Sequence, residues 1–596
     1  MKKFFVDKEL SLLFPYISIR VLLVSVLGIG LLERFVGLTY GMPYTFANID
    51  EYVPVANAIN FLQSKSLQPI HFNYPALYFY ILSVTYAFWF AGGWVIGALK
   101  SATDFAFLFI TQPGYFHLVG RVLTALLGTA TIVVVYSIGT KKFGRDTGVL
   151  AALLFAVSTL HAELSHWALP DVPMTFFFAV AFYFAMCVAE DGGAREYVWF
   201  GIVAGAAIAT KYNAGLIVLP LIIAQIQRTR SSSERFFSSQ FICSVLLIGG
   251  TFVLLNPYWI LDFNRAFEAF RFESTHMQIG HVGQSGVRFI WPIERLVERE
   301  QLCGVLAVAG IAYAFFWQDK RTSALMLVPT LLGLLYIGSW AKASLHYLLF
   351  LFPLLAVLAG KLLHDLLMIR AFVRFRSATT GFVLVLVVVP NIWNIGVNDL
   401  GMTTKDTRIE AKEWIESNIP SGAVVAYVSR EGIPPLIDRE AVYFDGSRKA
   451  KFQQLMKSGN SDLRKRLAQF LNSSATYSLF EARSISAEPT FASSWVSRVD
   501  TLNPYIRALF AIHWASMEEM RRADARYVLV SSYDKDPVLA SATDDDRNPW
   551  NYSLLEGKRF FREIMDPRNA ELVLNVVPQS RQLGPRLQLF KLRSQE

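Results

Sequence analysis

Up to about residue 400 the apolar residues of this 596-residue chain gather into long uninterrupted runs, parted by short polar segments. A helix needs about 20 apolar residues to cross a bilayer. On that measure about eleven spans are expected, at 12–32, 118–139, 147–164, 171–189, 197–212, 213–227, 239–256, 302–317, 323–340, 346–364 and 378–396. After about residue 400 the runs give way to the pattern of a soluble domain. "DTRIEAKEWIESNIPSGAVVAYVS" reads as an amphipathic helix closed by Pro and Gly and followed by a buried strand, and "ADARYVLVSS" and "RLQLFKLRS" read as further strands. The expected fold is therefore a polytopic α-helical membrane protein, residues 1–398, with a soluble α/β domain at 399–596.

The start, "MKKFFVDKELSLLFPYISIRVLLVSVLGIGLLERF", has the basic front and apolar middle of a secretory signal. Its apolar part runs from about Leu12 to Leu32 with no small-x-small cleavage site behind it, which reads as a retained first helix. Composition agrees: 53% of residues are hydrophobic and only 17% charged, against roughly a quarter charged in soluble domains.

The net charge of +9 would fit nucleic acid, but its distribution does not. The basic residues fall in short clusters between apolar runs: Lys141, Lys142 and Arg145; Arg228, Arg230 and Arg235; Lys320 and Arg321; Arg370, Arg374 and Arg376. That is the pattern of cytoplasmic loops. With the amino terminus inside, the eleven spans put all these clusters on one side and residues 400–596 on the other, which implies an inner or plasma membrane protein with an extracytoplasmic tail. Cys187, Cys243 and Cys303 lie in or beside apolar runs, with no disulfide or metal-ligand spacing.

Two stretches break the regular reading. Residues 75–116 are apolar enough to cross once or twice, but a single crossing would invert every later basic loop, so an interfacial, re-entrant or hairpin segment is expected in the first outer loop, 33–117. Residues 197–227 form one apolar run interrupted by "TKYNAG". A lysine in mid-run is costly in lipid, so two short helices are expected to meet at the outer surface near Lys211.

On this topology four polar groups reach the outer face: Asp50-Glu51 with His71, Asn73 and Tyr74; "SHWALPD", ending in Asp171; "TKY", with Lys211 and Tyr212; and "NPYWILDFNRAFEAFRFESTHMQIGHVG". Carboxylates, a lysine and imidazoles converging on an apolar cavity suit an enzyme acting on a lipid-linked anionic substrate. Each residue also has a plainer role open to it. Asp50 is a good helix N-cap, although Pro54 at a first helical position would leave Asp50 and Glu51 upstream, on a loop. Asp171 sits before an apolar helix with Pro173 in its first turn, a capping pattern. Lys211 can snorkel to the interface or serve as a point charge for a phosphate. His276 and His281, with Glu273, would be a metal site only if their i, i+5 spacing shared a helical face, which it does not; no metal site is assigned.

The chain resembles the GT-C superfamily of membrane glycosyltransferases, in the branch of the protein O-mannosyltransferases and the lipid A aminoarabinose transferase. The resemblance rests on "IDEYVPVANAINF" with "HFNYPALYFY", the stretch from "GRVLTALLGTATIVVVYSIGTKKFGRD" to "SHWALPDVPMTFFF", "GAAIATKYNAGLIVLP", "NPYWILDF" and "LHYLLFLFPLLAVLAG", in order over most of residues 35–365. It implies transfer of a sugar from a polyprenyl-phosphate donor to a hydroxyl on protein, lipid or glycan, with Asp50 as general base and Glu51 as its neighbour. No cofactor is implied, and no nucleic acid. Some relatives carry a basic residue just after the acidic pair and a Lys before a Pro-Pro, where this chain has "DEYVPVA" and "NYPA"; His346 stands where an Arg is often found. The candidates left for the phosphate are Lys211, Arg121 and His346. A transporter or flippase of lipid-linked sugars would share the cavity but usually shows internal repeats, and none is visible. A non-catalytic envelope scaffold is the third reading.

Overall fold

A computed structural model describes residues 17–44, 47–231, 235–280, 287–369, 376–440, 442–443, 452–457, 459–485, 512–541 and 551–593. Its first part is helical throughout. The helices are α1 (Ile19–Phe35), α2 (Tyr52–Ser64), α3 (Leu77–Val95), α4 (Ala102–Thr111), α5 (Gly114–Phe143), α6 (Arg145–Ala156), α7 (Thr159–Ser165), α8 (Asp171–Glu190) and α9 (Ala194–Thr210). They continue with α10 (Val218–Ser231), α11 (Ser239–Leu254), α12 (Tyr258–Leu261), α13 (Phe263–Ile279), α14 (Trp291–Ala314), α15 (Lys320–Gly338), α16 (Phe352–Leu367), α17 (Arg376–Met402) and α18 (Thr407–Asn418).

Among the described residues five helical stretches are long and apolar enough to cross a membrane: Gly114–Phe143, Asp171–Glu190, Lys320–Gly338, Leu345–Leu367 and Ser377–Asn418. The pair α6 and α7, bent by 60°, makes a sixth. The remaining expected spans are helical too, but α1, α9, α10 and α11 have 17 residues or fewer. α14 carries Glu294, Arg295, Glu298, Arg299 and Glu300 before a kink at Gln301, which leaves a short apolar part. The first residues of the 12–32 span, with Arg370, Arg374 and His281, lie outside the described residues.

The stretch 75–116 folds as a helical hairpin. α3 and α4 flank a turn closed by a capping box, in which Ser101 and Asp104 satisfy each other's backbone N–H groups. The Tyr86 hydroxyl donates to the Phe116 carbonyl (2.8 Å), and Trp89, Phe105 and Phe116 stack edge to face. α4 then lies against the carboxy-terminal region, where Asp104 pairs with Arg466 (2.7 Å) and the Phe107 and Phe470 rings meet.

The basic loops meet at one end of the bundle. Glu190 takes both Lys141 and Lys142 (2.6 and 2.5 Å), and Gln227 donates to the Arg321 carbonyl. The other end joins the carboxy-terminal region through the Tyr40 hydroxyl, which donates to Asp406, and through Arg408, which pairs with the same carboxylate (2.8 Å).

After α18 come strands β1 (Val424–Tyr427), β2 (Ile437–Asp438), β3 (Val442–Tyr443), β4 (Thr476–Glu481), β5 (Arg483–Ile485), β6 (Ile512–Trp514), β7 (Ala525–Ser531), β8 (Ala570–Val576) and β9 (Leu587–Leu592). Seven form one sheet in the order β3-β2-β4-β1-β7-β9-β8, parallel from β2 to β7 and antiparallel at both edges. Alternate residues of β1 and β7 face opposite sides. Val425, Tyr427 and Leu529 pack on Ile415 of α18, while Ala426, Val528 and Val530 share a core with Phe561 and Ile564 of the helix Asn551–Met565. This is the α/β sheet expected from the tail, with a helix on each face.

Candidate functional site

The adjacent carboxylates of the segment between α1 and α2 have opposite surroundings. Both lie in a 3-10 turn, Ile49–Glu51, that leads into α2, and the turn is capped by Asn48, whose side chain accepts from the Asp50 N–H (3.0 Å). Asp50 is thus not the cap. Its side chain is exposed, whereas Glu51 is 0% exposed.

Glu51 is locked in place. Arg121 of α5 donates to both its oxygens (2.8 and 2.6 Å), the Ala168 N–H donates to it (2.7 Å), and His117 stands 3.4 Å away. Burial pushes the Glu51 pKa up, but Arg121 and His117 outweigh burial and hold it down at about 2. Close helix packing makes this possible: a Cβ on Gly120 would stand 2.7 Å from the Ala168 methyl. The remaining Arg121 donors go to the Leu38 and Tyr40 carbonyls (2.9 and 2.7 Å), and its guanidinium lies 4.9 Å from the Trp167 ring centre. Two expectations are corrected here. Glu51 is too enclosed to touch a substrate, and Arg121 has spent its donors and is 1% exposed, so it is no phosphate ligand.

Lys211 does not snorkel. It ends α9, is 7% exposed, donates to Asp171 (2.7 Å), and lies between the rings of Tyr74 and Tyr347 (5.5 and 5.2 Å). Asp171 is the first residue of α8 and makes no side-chain cap, so its carboxylate serves the ion pair. Asn73 donates to Glu273 of α13 (2.8 Å).

The charges of Asp50, Glu273 and Asp171 all act on Tyr74. Enclosure by the protein first, and then these carboxylates, raise its hydroxyl pKa well above the usual value. The Glu273 pKa is raised by burial and by Asp50, against Asn73, Lys342 and Lys211. The Lys342 pKa is lowered, by burial first and also by Lys211, while Glu273 and Asp50 pull it up. One polar cluster therefore holds Asp50, Tyr74, Asp171, Lys211, Glu273 and Lys342. His346 borders it, its Nδ1 hydrogen-bonded to Ser344 (2.8 Å) and its ring 4.0 Å from that of Tyr347.

Other expected residues stand beside the cluster. The His71 ring packs on Tyr52, and its backbone N–H donates to Asn57 (3.3 Å). The Tyr212 hydroxyl accepts from the Trp259 indole (2.8 Å), and its ring packs on Phe270, bracing α13. Lys342 and Tyr347 were missed in the sequence, and Glu273 was considered only for a metal. The signal for Lys342 was present: a lysine in a short polar loop between two spans, on the same outer face as Lys211. Among the described residues no group of three His, Cys, Asp or Glu side chains is placed to hold a metal ion.

In this arrangement an exposed carboxylate stands near two lysines, two further carboxylates and the rings of Tyr74 and Tyr347. A carboxylate of that kind can take a proton from a hydroxyl, and fixed cations stabilise a departing phosphate.

Residues 108–259 match the family model described as dolichyl-phosphate-mannose-protein mannosyltransferase. No curated protein matches the sequence. Among solved structures, ArnT from Cupriavidus metallidurans bound to undecaprenyl phosphate is 14% identical, covers 75% of this chain and 94% of its own, and superposes with a TM-score of 0.44. The apo oligosaccharyltransferase of Archaeoglobus fulgidus is 10% identical over 93% of this chain and 73% of its own, with a TM-score of 0.49. AglB of the same organism, in complex with an inhibitory peptide and a dolichol-phosphate, is 12% identical over 96% and 88%, with a TM-score of 0.47. The family match spans α5 to α11 and includes Arg121, Asp171 and Lys211. Over these residues, about a quarter of the chain, the sequence is similar to a glycosyltransferase family, within a chain that carries several helices long and apolar enough to cross a membrane.

Proposed function

We propose that the protein transfers a sugar from a polyprenyl-phosphate-linked donor to a hydroxyl acceptor, with Asp50 as general base and inversion at the anomeric carbon. The observation that carries this reading is the division of labour in the acidic pair: Glu51 is buried and ion-paired, and Asp50 stands exposed on the turn that Glu51 anchors.

In the reaction, Asp50 accepts the hydroxyl proton as the acceptor oxygen bonds to the anomeric carbon. The bond from that carbon to the phosphate oxygen breaks, with its electron pair leaving on the phosphate. The transition state has oxocarbenium character, as in glycoside hydrolysis. The leaving phosphate needs positive charge. Lys211 is already neutralised by Asp171, so Lys342 is the leading phosphate ligand in this reading, with Lys211 and His346 beside it.

The same reading puts the amino terminus in the cytoplasm and the site and carboxy-terminal domain outside. The gathering of Lys141, Lys142 and Arg321 at the bundle end away from Tyr40 and Asp406 supports that orientation.

Glu273 is a second candidate base, because its raised pKa lies closer to neutral working pH than that of an ordinary carboxylate. Mass spectrometry of the lipids, glycans and proteins of a deletion strain against its parent tests the function. A glycosylated species lost on deletion is expected; sugars translocated but never attached would contradict transfer.

A further inference from the structure

A cavity of about 790 Å³ lies between α7, α14, α17 and the segment 581–583, apart from the Asp50 cluster but with Ser344, Leu345 and His346, which borders that cluster, in its wall. Its size is that of ligand sites, about 300–1,000 Å³. Resting on the transfer reaction above, we propose that this cavity is the acceptor subsite and that it takes the neutral, hydroxyl-rich part of a glycan-bearing acceptor.

The first observation is the polar stripe on α17. The helix is apolar in "VLVLVVV", yet it carries Asn391, Asn394, Asn398 and Asp399. Residues spaced by three and four lie on one helical face, and polar side chains on a membrane helix are costly unless they line a cavity or find partners. Asn391 faces into the protein, its amide N–H groups donating to the Val157 carbonyl and to Glu300 (3.0 and 3.1 Å). Asn394, Asn398 and Asp399 line the cavity.

The second observation is charge balance. Arg299 pairs with Glu163, and Arg295 with Glu298 (2.8 Å), which leaves Arg581 and Asp399 with opposite signs. The lining carries as many arginines as carboxylates, so its charges cancel and favour a neutral ligand over a polyanion, and its amides interrupt the apolar side chains that a polyprenyl chain would follow. Sugar hydroxyls both donate and accept, and so suit Asn394 and Asn398 set among charges that cancel; the Gln582 amide is already used, donating to the Lys405 carbonyl and Glu410 and accepting from the Gln579 N–H.

The third is continuity. His346 lines the cavity on one side, and on the other it lies within the fields of Asp171, Lys211 and Lys342. An acceptor held in the cavity can therefore present a terminal hydroxyl to the cluster that contains Asp50.

The test uses the full chain in nanodiscs, with neutral mannose, glucose and galactose trisaccharides and a sugar-free Ser/Thr-rich peptide as probes, read by saturation-transfer NMR. At least one trisaccharide is expected to bind, at least tenfold more weakly after Asn394→Leu or Asn398→Leu and unchanged after Asp50→Asn. Asn398→Gln keeps the amide and should retain part of the binding, which separates lost recognition from misfolding. No trisaccharide binding, binding indifferent to both leucine variants, or Asn398-dependent binding of the peptide alone would each overturn the proposal. Because Asp50→Asn is read by transfer and the cavity variants by binding, failure of this inference is distinguishable from failure of the transferase reading.

Discussion

Glu51 and Arg121 form a two-pronged ion pair, 2.8 and 2.6 Å, that is sealed from solvent and sits one residue from the exposed Asp50. The pair ties the segment between α1 and α2 to α5. The most exposed acidic residue of the site is thereby held on a rigid support.

Removing one partner of such a pair leaves a buried charge uncompensated, which typically costs about 3–5 kcal/mol. Arg121→Ala is therefore expected to lower stability by that order and to reduce transfer with it, as thermal unfolding of the purified protein will show. Glu51→Gln should be milder, because its amide can still accept from Arg121.

The sign of the pH effect follows from the depressed Glu51 pKa. The pair's stabilisation is fully present above the ordinary carboxylate value of 4.5 and is lost as pH falls from there through about 2. Acid unfolding of the wild type in that window should be steeper than that of Glu51→Gln; identical curves would remove Glu51 from the account.

Lys342 carries the phosphate assignment. Lys342→Gln is expected to cut kcat/KM for the donor by about 100- to 1,000-fold, with Lys342→Arg recovering part of it, since a fixed group that stabilises a developing oxyanion contributes on that scale. Burial lowers the lysine pKa, so charge and activity are lost as pH rises through a value below 10.5. The arginine variant should extend the alkaline limb of the pH–rate profile upward.

The carboxy-terminal region is held to the segment between α1 and α2 by the Tyr40 hydroxyl on Asp406, beside Arg408. Tyr40→Phe leaves a buried acceptor short of one donor, at a cost of about 1–3 kcal/mol. Limited proteolysis should then cut the segment near residues 402–407 faster than in the wild type.

Helix positions were legible because apolar runs are long and unambiguous: α5 and α8 fall within a few residues of expectation. The α/β tail was legible from period-two strands such as "RYVLV", whose two faces build two cores. The site was legible in part. Asp50, Tyr74, Asp171 and Lys211 were found because polar residues between apolar runs are few. Spacing alone did not separate Asp50 from Glu51, since what separates them is Arg121, a contact 70 residues away. Arg121 looked like a phosphate ligand for the same reason: one sequence does not show that its donors are already used. Lys342 is less legible, because in sequence it is one more lysine of a short polar loop, four residues before His346.

The most direct measurement is sugar transfer by purified Asp50→Asn, set beside Glu273→Gln, with both variants confirmed folded by thermal unfolding. The account predicts that Asp50→Asn loses at least a hundredfold in kcat, within the 10²–10⁴-fold span of general base catalysis, while Glu273→Gln stays within about tenfold of wild type. Near-normal turnover by Asp50→Asn, or a deeper loss in Glu273→Gln, would contradict it.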